Sequence, residues 1–468
     1  MAESKSRRWA IVFLVAVIVL IIGLQIMIMA FKLRAPASTQ KINPGNKRPV
    51  ILIVIDSLRA DHLGCYGNEK KISSYMDTLA QQGTLFENCM APIPCATQSV
   101  ASIMTGRYPQ SHGLRNPLQK LPDTEITLAD YMKNAGYKTL SVQAAGAISG
   151  KVDKGFDKVL PMPDGWNCNA ISNNTLAMLE YIKDNEPFFL WIFYRDLHMP
   201  YQPPRISFDN KYKGRFRNQV SYHPTKAAMV YHNTMTGPER KHAVALYDSE
   251  IHNLDEQLGQ LLSYVDERFP DAIVILTADH GESLGENGYY YDHGDILNQP
   301  ALHVPLIIKG IDFAEKRVKK MVRLIDIAPT ILASLGIQAP GNRFDGVDLT
   351  AHVADDSSHL FSFEETGNAL LKDTYIRGFR NMPGISGRVR AVSHKNWRAV
   401  YMPTHKGPKY FLYDLQKDPA HTKNLYPKPQ AAYLYEALDK WILPAEESQP
   451  EWLPTDEEKA KLKSWGYQ

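Results

Sequence analysis

The chain is predicted to be an α/β protein: a large, mostly parallel central sheet flanked by helices, a smaller C-terminal β-containing subdomain and one N-terminal transmembrane helix. Three observations lead there. Continuous apolar runs such as Val50-Ile51-Leu52-Ile53-Val54-Ile55 and Ile273-Val274-Ile275-Leu276-Thr277 have the length and β-branched content of strands buried on both faces. Such runs alternate with segments of helical patterning, as parallel strands joined by crossover helices require. Residues 9–31 form a different kind of run, apolar except at Gly23 and Gln25 and long enough to span a bilayer.

Taken in order, residues 1–8 form a basic N-terminal segment carrying Lys5, Arg7 and Arg8. The run 9–31 reads as an uncleaved anchor, because a cleavable signal peptide has an apolar core of only about 7 to 15 residues. Lys32, Arg34, Lys41, Lys47 and Arg48 follow it, so basic charge flanks both ends and does not decide its orientation. Residues 32–48, with Pro36, Pro44 and Gly45, read as a linker. A strand then ends at Asp56. Helices are expected near 73–83, 98–105 and 128–136, and strands at 139–142 and 188–194. A polar, helix-rich stretch over 205–265 precedes the strand that ends at Asp279, and βα patterning continues to about residue 338. These elements make up an α/β domain over 49–340. The remainder, 341–468, carries strand-like segments at 388–392, 397–401 and 410–415 and reads as the C-terminal subdomain.

With 468 residues, a large core is within reach. A formal net charge of +3 offers no basis for nucleic-acid binding, and none is expected. The cysteines, Cys65, Cys89, Cys95 and Cys168, lack zinc-finger spacing; Cys89 and Cys95 could bridge outside the cytoplasm, or all could be buried thiols. Asn173-Asn174-Thr175 fits a glycosylation acceptor.

Asp56 and the pair Asp279-His280 each follow an apolar strand. In a parallel sheet the carboxyl ends of the strands share one rim, where ligands bind, so residues remote in sequence can meet there. Asp56, Asp279 and His280 therefore read as a site for one divalent metal ion; two carboxylates and one imidazole admit Ca, Mg, Mn or Zn. The competing reading makes each aspartate a turn or capping residue and His280 structural.

Several segments together resemble the sulfatase family of the alkaline phosphatase superfamily. Val54-Ile55-Asp56-Ser57-Leu58-Arg59-Ala60-Asp61-His62 is similar to its opening strand and metal loop, Ala101-Ser102-Ile103-Met104-Thr105-Gly106-Arg107 to the helix after its nucleophile, and Ala278-Asp279-His280-Gly281-Glu282 with Asp292-His293-Gly294 to its second metal motif and the histidine loop beyond. Asp196-Leu197-His198-Met199-Pro200-Tyr201 resembles the substrate-facing loop, and Leu412-Tyr413-Asp414-Leu415 the C-terminal signature. The resemblance implies a metal-dependent hydrolase of sulfate esters, with Asp56, Asp279 and His280 on the metal, His293 and His198 assisting the leaving group or binding the anion, and Asn116 and His303 in contact with substrate. It also implies a catalytic domain that is periplasmic or otherwise extracytoplasmic, on a single-pass membrane protein, acting on a glycan or lipid headgroup. The Asp-His ligand pair is similar as well to phosphonate hydrolases and phosphoryl transferases, so a phosphorus ester remains an alternative.

The chain departs from the family at its nucleophile. The position that sulfatases convert to formylglycine falls on Ala96, and Cys95-Ala96-Thr97-Gln98-Ser99 lacks the proline and arginine of the modification motif, so formylglycine is not expected. Thr97, at a helix start that favours an alkoxide, is the expected nucleophile, with Cys95 behind it. An inactive, metal-containing binding protein is the other reading. The Lys-Trp-His loop of many arylsulfatases is replaced by Val142-Gln143-Ala144-Ala145.

Overall fold

Strands in chain order are β1 (Val50–Ile55), β2 (Thr84–Met90), β3 (Lys138–Ala144), β4 (Lys158–Met162), β5 (Phe188–Tyr194), β6 (Ile273–Ala278), β7 (Ser283–Leu284), β8 (Tyr290–Asp292), β9 (His303–Lys309), β10 (Arg317–Arg323), β11 (Ser362–Glu365), β12 (Arg390–His394), β13 (Trp397–Met402) and β14 (Lys409–Asp414). They come from a computed structural model that describes residues 47–447, except 117–118, 145–147, 149–151, 163–166, 184–185, 210, 215, 218–234, 287–289, 295, 341–342, 368–386, 405 and 419–420.

The principal sheet has eight strands in the order β10-β2-β9-β6-β1-β5-β3-β4. Its pairings are parallel except where β9 lies against β2 and β6. Every residue of β1, β5 and β6 is buried, which is why these strands are apolar without alternation. The edges differ: β10 is Arg-Val-Lys-Lys-Met-Val-Arg, and β4 contains Pro161, residues that spare an edge from unwanted pairing.

Helices pack on the sheet through apolar stripes. The 32-residue helix Gly237–Arg268 opens with a capping box, in which Thr236 accepts from the Glu239 N–H and the Glu239 side chain accepts from the Thr236 N–H. It buries Leu246, Leu254, Leu258, Leu261 and Val265. From the same helix, the Asp255 carboxylate accepts the backbone N–H groups of Tyr75 and Met76, at 3.0 and 2.9 Å, and so satisfies the start of the helix Ser74–Gln82.

Strands β11 to β14 form a second, antiparallel sheet. Its side chains alternate between two environments. Ala391, Val400 and Tyr413 join the main core, whereas Val392, Ala399 and Leu412 pack with Leu434, Leu438 and Ile442 of the C-terminal helix Ala432–Glu447. The boundary expected at 340/341 falls between the two sheets, which share one core.

Of the two readings offered for the cysteines, the structure has the free thiols: all four are unbridged, and Cys89 sits fully buried within β2, where burial pushes its thiol well up. Another expectation is corrected by its surroundings. The Asn173-Asn174-Thr175 acceptor lies within the helix Cys168–Glu180, where the buried Thr175 hydroxyl donates to the Ile171 carbonyl, so it is not the exposed loop a modifying enzyme needs. The expected membrane span at 9–31, and most of the linker after it, lie outside the described residues; among those residues no helix is long and apolar enough to cross a membrane.

Candidate functional site

The rim is assembled by register. Ile55 of β1 is paired with Ala278 of β6 on one side and Tyr194 of β5 on the other, so the next residues, Asp56, Asp279 and Arg195, stand side by side just past the strand ends. The Asp56 N–H is still held by the Tyr194 carbonyl at 2.8 Å.

Asp56, Asp279 and His280 are fully buried, and one potential ligand atom from each lies within 4.8 Å of the other two. His280 Nε2 is 3.6 Å from Asp56 Oδ1 and 3.7 Å from Asp279 Oδ2. The remaining polar atoms are already engaged. Asp279 Oδ1 accepts the N–H groups of His280 at 2.7 Å and Ser57 at 3.2 Å, and Asp56 Oδ1 accepts the Ser57 hydroxyl at 2.9 Å. His280 Nδ1 lies 2.8 Å from the Gly281 carbonyl, which assigns the ring proton to Nδ1 and leaves the Nε2 lone pair facing the carboxylates. Asp56 Oδ2, Asp279 Oδ2 and His280 Nε2 have no hydrogen-bond partner. Buried polar atoms of this kind are costly unless something completes them. Burial, and then the neighbouring Asp56 carboxylate, hold the Asp279 carboxyl well above its usual range, which is the penalty a cation would relieve. The three residues therefore fit a divalent metal ion, with Ser57 orienting both carboxylates.

The expected histidines are beside them. The His293 ring centroid is 4.2 Å from that of His280 and 5.1 Å from that of His198. His198 Nδ1 lies 2.7 Å from the Met199 carbonyl, and its Nε2 is 3.5 Å from Arg195 Nη2. His293 Nδ1 is 3.4 Å from Glu282 Oε1. Burial drives both imidazoles well below their ordinary range, helped at His198 by Arg195 and at His293 by His280. Burial also raises the Glu282 carboxyl to about 8.

The helix Ala96–Thr105 brings its start to this rim, and the Ser99 hydroxyl donates to the Asp279 carbonyl at 2.6 Å. Ala96, three positions before Ser99, shares its helix face, whereas Thr97, two positions before it, lies on another; Cys95 is the extended cap residue that precedes the helix. Cys95 is fully buried against Gly367, where an added Cβ would sit 2.0 Å from its Sγ, whereas Thr97 keeps 7% exposure.

Asn116 lies in an adjoining cluster, its amide oxygen accepting from Arg388. Arg388 also donates to the carbonyls of Thr366, Gly367 and Arg115, and the Gly367 N–H bonds the Gly294 carbonyl at 2.9 Å, next to His293. Arg115 grips Glu365 through two hydrogen bonds. Burial opposes ionisation of Glu365, yet Arg115 and Arg388 hold its carboxyl down to about 2.

His303 is placed differently from the other expected residues. Its Nε2 lies 2.7 Å from the Glu87 carbonyl and its ring packs edge-on to Tyr66, at the β2–β9 seam, so its described contacts are those of a packing histidine. Arg195, in contrast, was not singled out in the sequence. The available signal was its position one residue after an apolar strand, the position that Asp56 and Asp279 also occupy.

A family model described as "Sulfatase" matches residues 48–337. The chain belongs to the sulfatase family. A second model, "N-sulphoglucosamine sulphohydrolase, C-terminal", matches residues 285–448. Among sulfatase relatives, the chain is 25% identical to an ulvan-active sulfatase of Formosa agariphila over 428 residues, 84% of this chain and 80% of that protein. A structure solved with its substrate D-glucosamine-2-N,6-O-disulfate superposes with a TM-score of 0.64 at 16% identity, covering 87% of this chain and 99% of the other. A phosphonate monoester hydrolase from Silicibacter pomeroyi superposes with a TM-score of 0.64 at 19% identity, covering 86% and 96%. These likenesses in structure establish a common fold.

Proposed function

We propose that this sulfatase-family protein hydrolyses a sulfate ester with the help of one divalent metal ion held by Asp56, Asp279 and His280. The observation that carries the reading is the convergence of three buried ligand atoms that have no hydrogen-bond partner with two imidazoles at the strand-end rim. The ion, when bound, supplies positive charge against the ester oxygens. A hydroxyl or thiol at the start of the helix Ala96–Thr105 passes its proton to the neutral imidazole of His293 or His198 as its oxygen or sulfur bonds to the sulfur of the ester; the bond to the leaving oxygen breaks and that oxygen takes the same proton from the imidazole; water then cleaves the covalent sulfate, releasing sulfate and restoring the hydroxyl or thiol. Thr97 Oγ1, the more exposed, and Cys95 Sγ, at the cap of that helix and against Gly367, are the two candidates for the attacking atom. Asn116 belongs to the pocket wall through Arg388. His303 remains a substrate contact only if its bond to Glu87 yields.

The ulvan-active relative and the glucosamine-disulfate complex support a sulfated glycan as substrate. Likeness to a phosphonate monoester hydrolase supports a second reading, a phosphorus ester taken at the same centre. The apolar run 9–31 supports a single-pass anchor holding the catalytic domain outside the cytoplasm, near glycans or lipid headgroups.

The test is turnover of paired aryl sulfate, phosphate monoester and phosphonate monoester by the full-length chain with Mn, Ca or Mg, repeated on Thr97→Ala, Cys95→Ala and Asp279→Ala. Activity abolished by Asp279→Ala and by one of the other two would identify centre and nucleophile together. Retained activity in Asp279→Ala would sink the metal reading. Metal binding without turnover of any ester would favour the inactive binding protein that Ala96 suggests.

A further inference from the structure

Arg195 is the cation of this rim. Its Nε lies 3.5 Å from Asp56 Oδ2 and its Nη2 3.5 Å from His198 Nε2, so the guanidinium spans from a metal ligand to one of the imidazoles. Its side chain keeps 17% exposure, whereas Asp56, Asp279 and His280 are fully buried and His293 and His198 keep 4% and 7%. Of Arg195, Asp56, Asp279, His280, His198 and His293, it is the most exposed. The neighbouring strand β3 ends in Gln143-Ala144 and pairs Gln143 with Phe193, one residue short of Tyr194.

Charge counting makes the position matter. A divalent ion and two carboxylates sum to zero, and a metal-bound imidazole is neutral. Arg195, 3.5 Å from Asp56 Oδ2, then adds positive charge that draws an anion to the centre, and its planar fork matches two oxygens of a tetrahedral ester.

We propose, resting on the ester-hydrolase reading above, that Arg195 is the substrate clamp of this site, gripping two non-bridging oxygens of the sulfate group while Asp56 and His198 hold the guanidinium in place. The competing role is positioning alone, with Arg195 acting only through Asp56.

The experiment uses inorganic sulfate as probe and does not depend on turnover. Calorimetric titration of sulfate into the Mn-loaded, full-length protein is compared for the native chain, Arg195→Ala, Arg195→Gln and Arg195→Lys, with metal content by plasma emission and thermal melts for each. The clamp predicts that sulfate affinity falls roughly 10- to 100-fold in the Ala and Gln variants at unchanged metal content. Lysine, which keeps the charge but loses the fork, recovers part of that affinity. Native affinity for sulfate in Arg195→Gln at full metal loading overturns the clamp, as does a native protein that binds no sulfate at all. A loss of metal in Arg195→Ala with normal sulfate affinity once Mn is saturating also overturns it and leaves a positioning role. If Arg195→Ala fails to fold, the Gln and Lys variants decide alone. Arg195-dependent sulfate binding in a protein that turns over no ester would uphold the clamp while the hydrolase reading falls; sulfate-ester turnover with unchanged KM in Arg195→Gln would do the reverse.

Discussion

Ser57 holds a backbone φ of 63° and spends both of its donors on the metal carboxylates, its N–H on Asp279 and its hydroxyl on Asp56. Many sulfatases carry a second aspartate here, and the serine reaches the same place as an orienting group. We predict that Ser57→Ala weakens metal affinity by roughly 10- to 100-fold, as loss of such supporting partners does elsewhere, measurable by competition with a chelating dye. Unchanged affinity would show that the backbone alone orients the carboxylates. Gly281 predicts a harsher outcome. A Cβ there would lie 1.9 Å from the Pro300 carbonyl, so Gly281→Ala must displace backbone beside His280 and should destabilise by about 1–3 kcal/mol in denaturant titration, with lower metal content. At this scale the three candidate ligands were legible because each follows an uninterrupted apolar strand. Arg195 follows an apolar strand in the same way and was passed over, because an arginine is not a metal ligand and its place beside Asp56 emerges only from the register of β5 against β1. His303 could be read from sequence either as a substrate contact or as a packed strand-end histidine; its bond to the Glu87 carbonyl and its packing on Tyr66 match the second, whereas His198 packs on His293.

Among the elements, the helix Ala96–Thr105 is tied to the metal loop through Ser99. Ser99→Ala leaves the Asp279 carbonyl short of a donor and is predicted to cost about 1 kcal/mol in unfolding experiments. It should also lower turnover more than Thr236→Ala, a change of similar cost, about 1 kcal/mol, at the capped start of the helix Gly237–Arg268. Equal turnover in the two variants would detach the Ser99 contact from function. The central strands were readable because full burial removes the need for polar residues. Strand β10 carries four basic residues and was submerged in general βα patterning; the sheet edge leaves Arg317, Lys319 and part of Lys320 in solvent, and the buried Arg323 is paired with Asp326. The second sheet was readable from its short runs, but its alternation between two apolar environments depends on the C-terminal helix, which no local pattern announces.

Across the whole molecule, buried acids set a dependence on pH. Burial raises Asp196 to about 7 and, with the Asp196 charge as second cause, Glu250 to about 8. Both folded values exceed the unfolded ones, so folding takes up protons. Their stabilising contribution is complete below about pH 4 and is lost as pH rises through 7 to 8. We predict that the difference in unfolding free energy between native chain and an Asp196→Asn, Glu250→Gln double variant changes by a few kcal/mol, on the order set by such shifts, between pH 5 and 8.5, the native chain losing ground at high pH. Parallel curves would sink the assignment. A change of patterning near residue 340 suggested a division into an α/β domain and a C-terminal subdomain. The bond from Gly367 to Gly294, which carries the later segment onto the His293 loop, follows from tertiary packing and left no trace in sequence.

The pairing of β1 with β6 sets an order of events during synthesis. Asp56 leaves the ribosome long before Asp279 and His280, and until β6 lies against β1 the chain owns a single carboxylate of the three ligands. On the proposed ligand set, a chain arrested before residue 273 carries one of the three ligands, and one arrested before Gly367 lacks the bond to Gly294. Metal capture at that centre would be a timestamp: it would record that strands distant along the message have found each other.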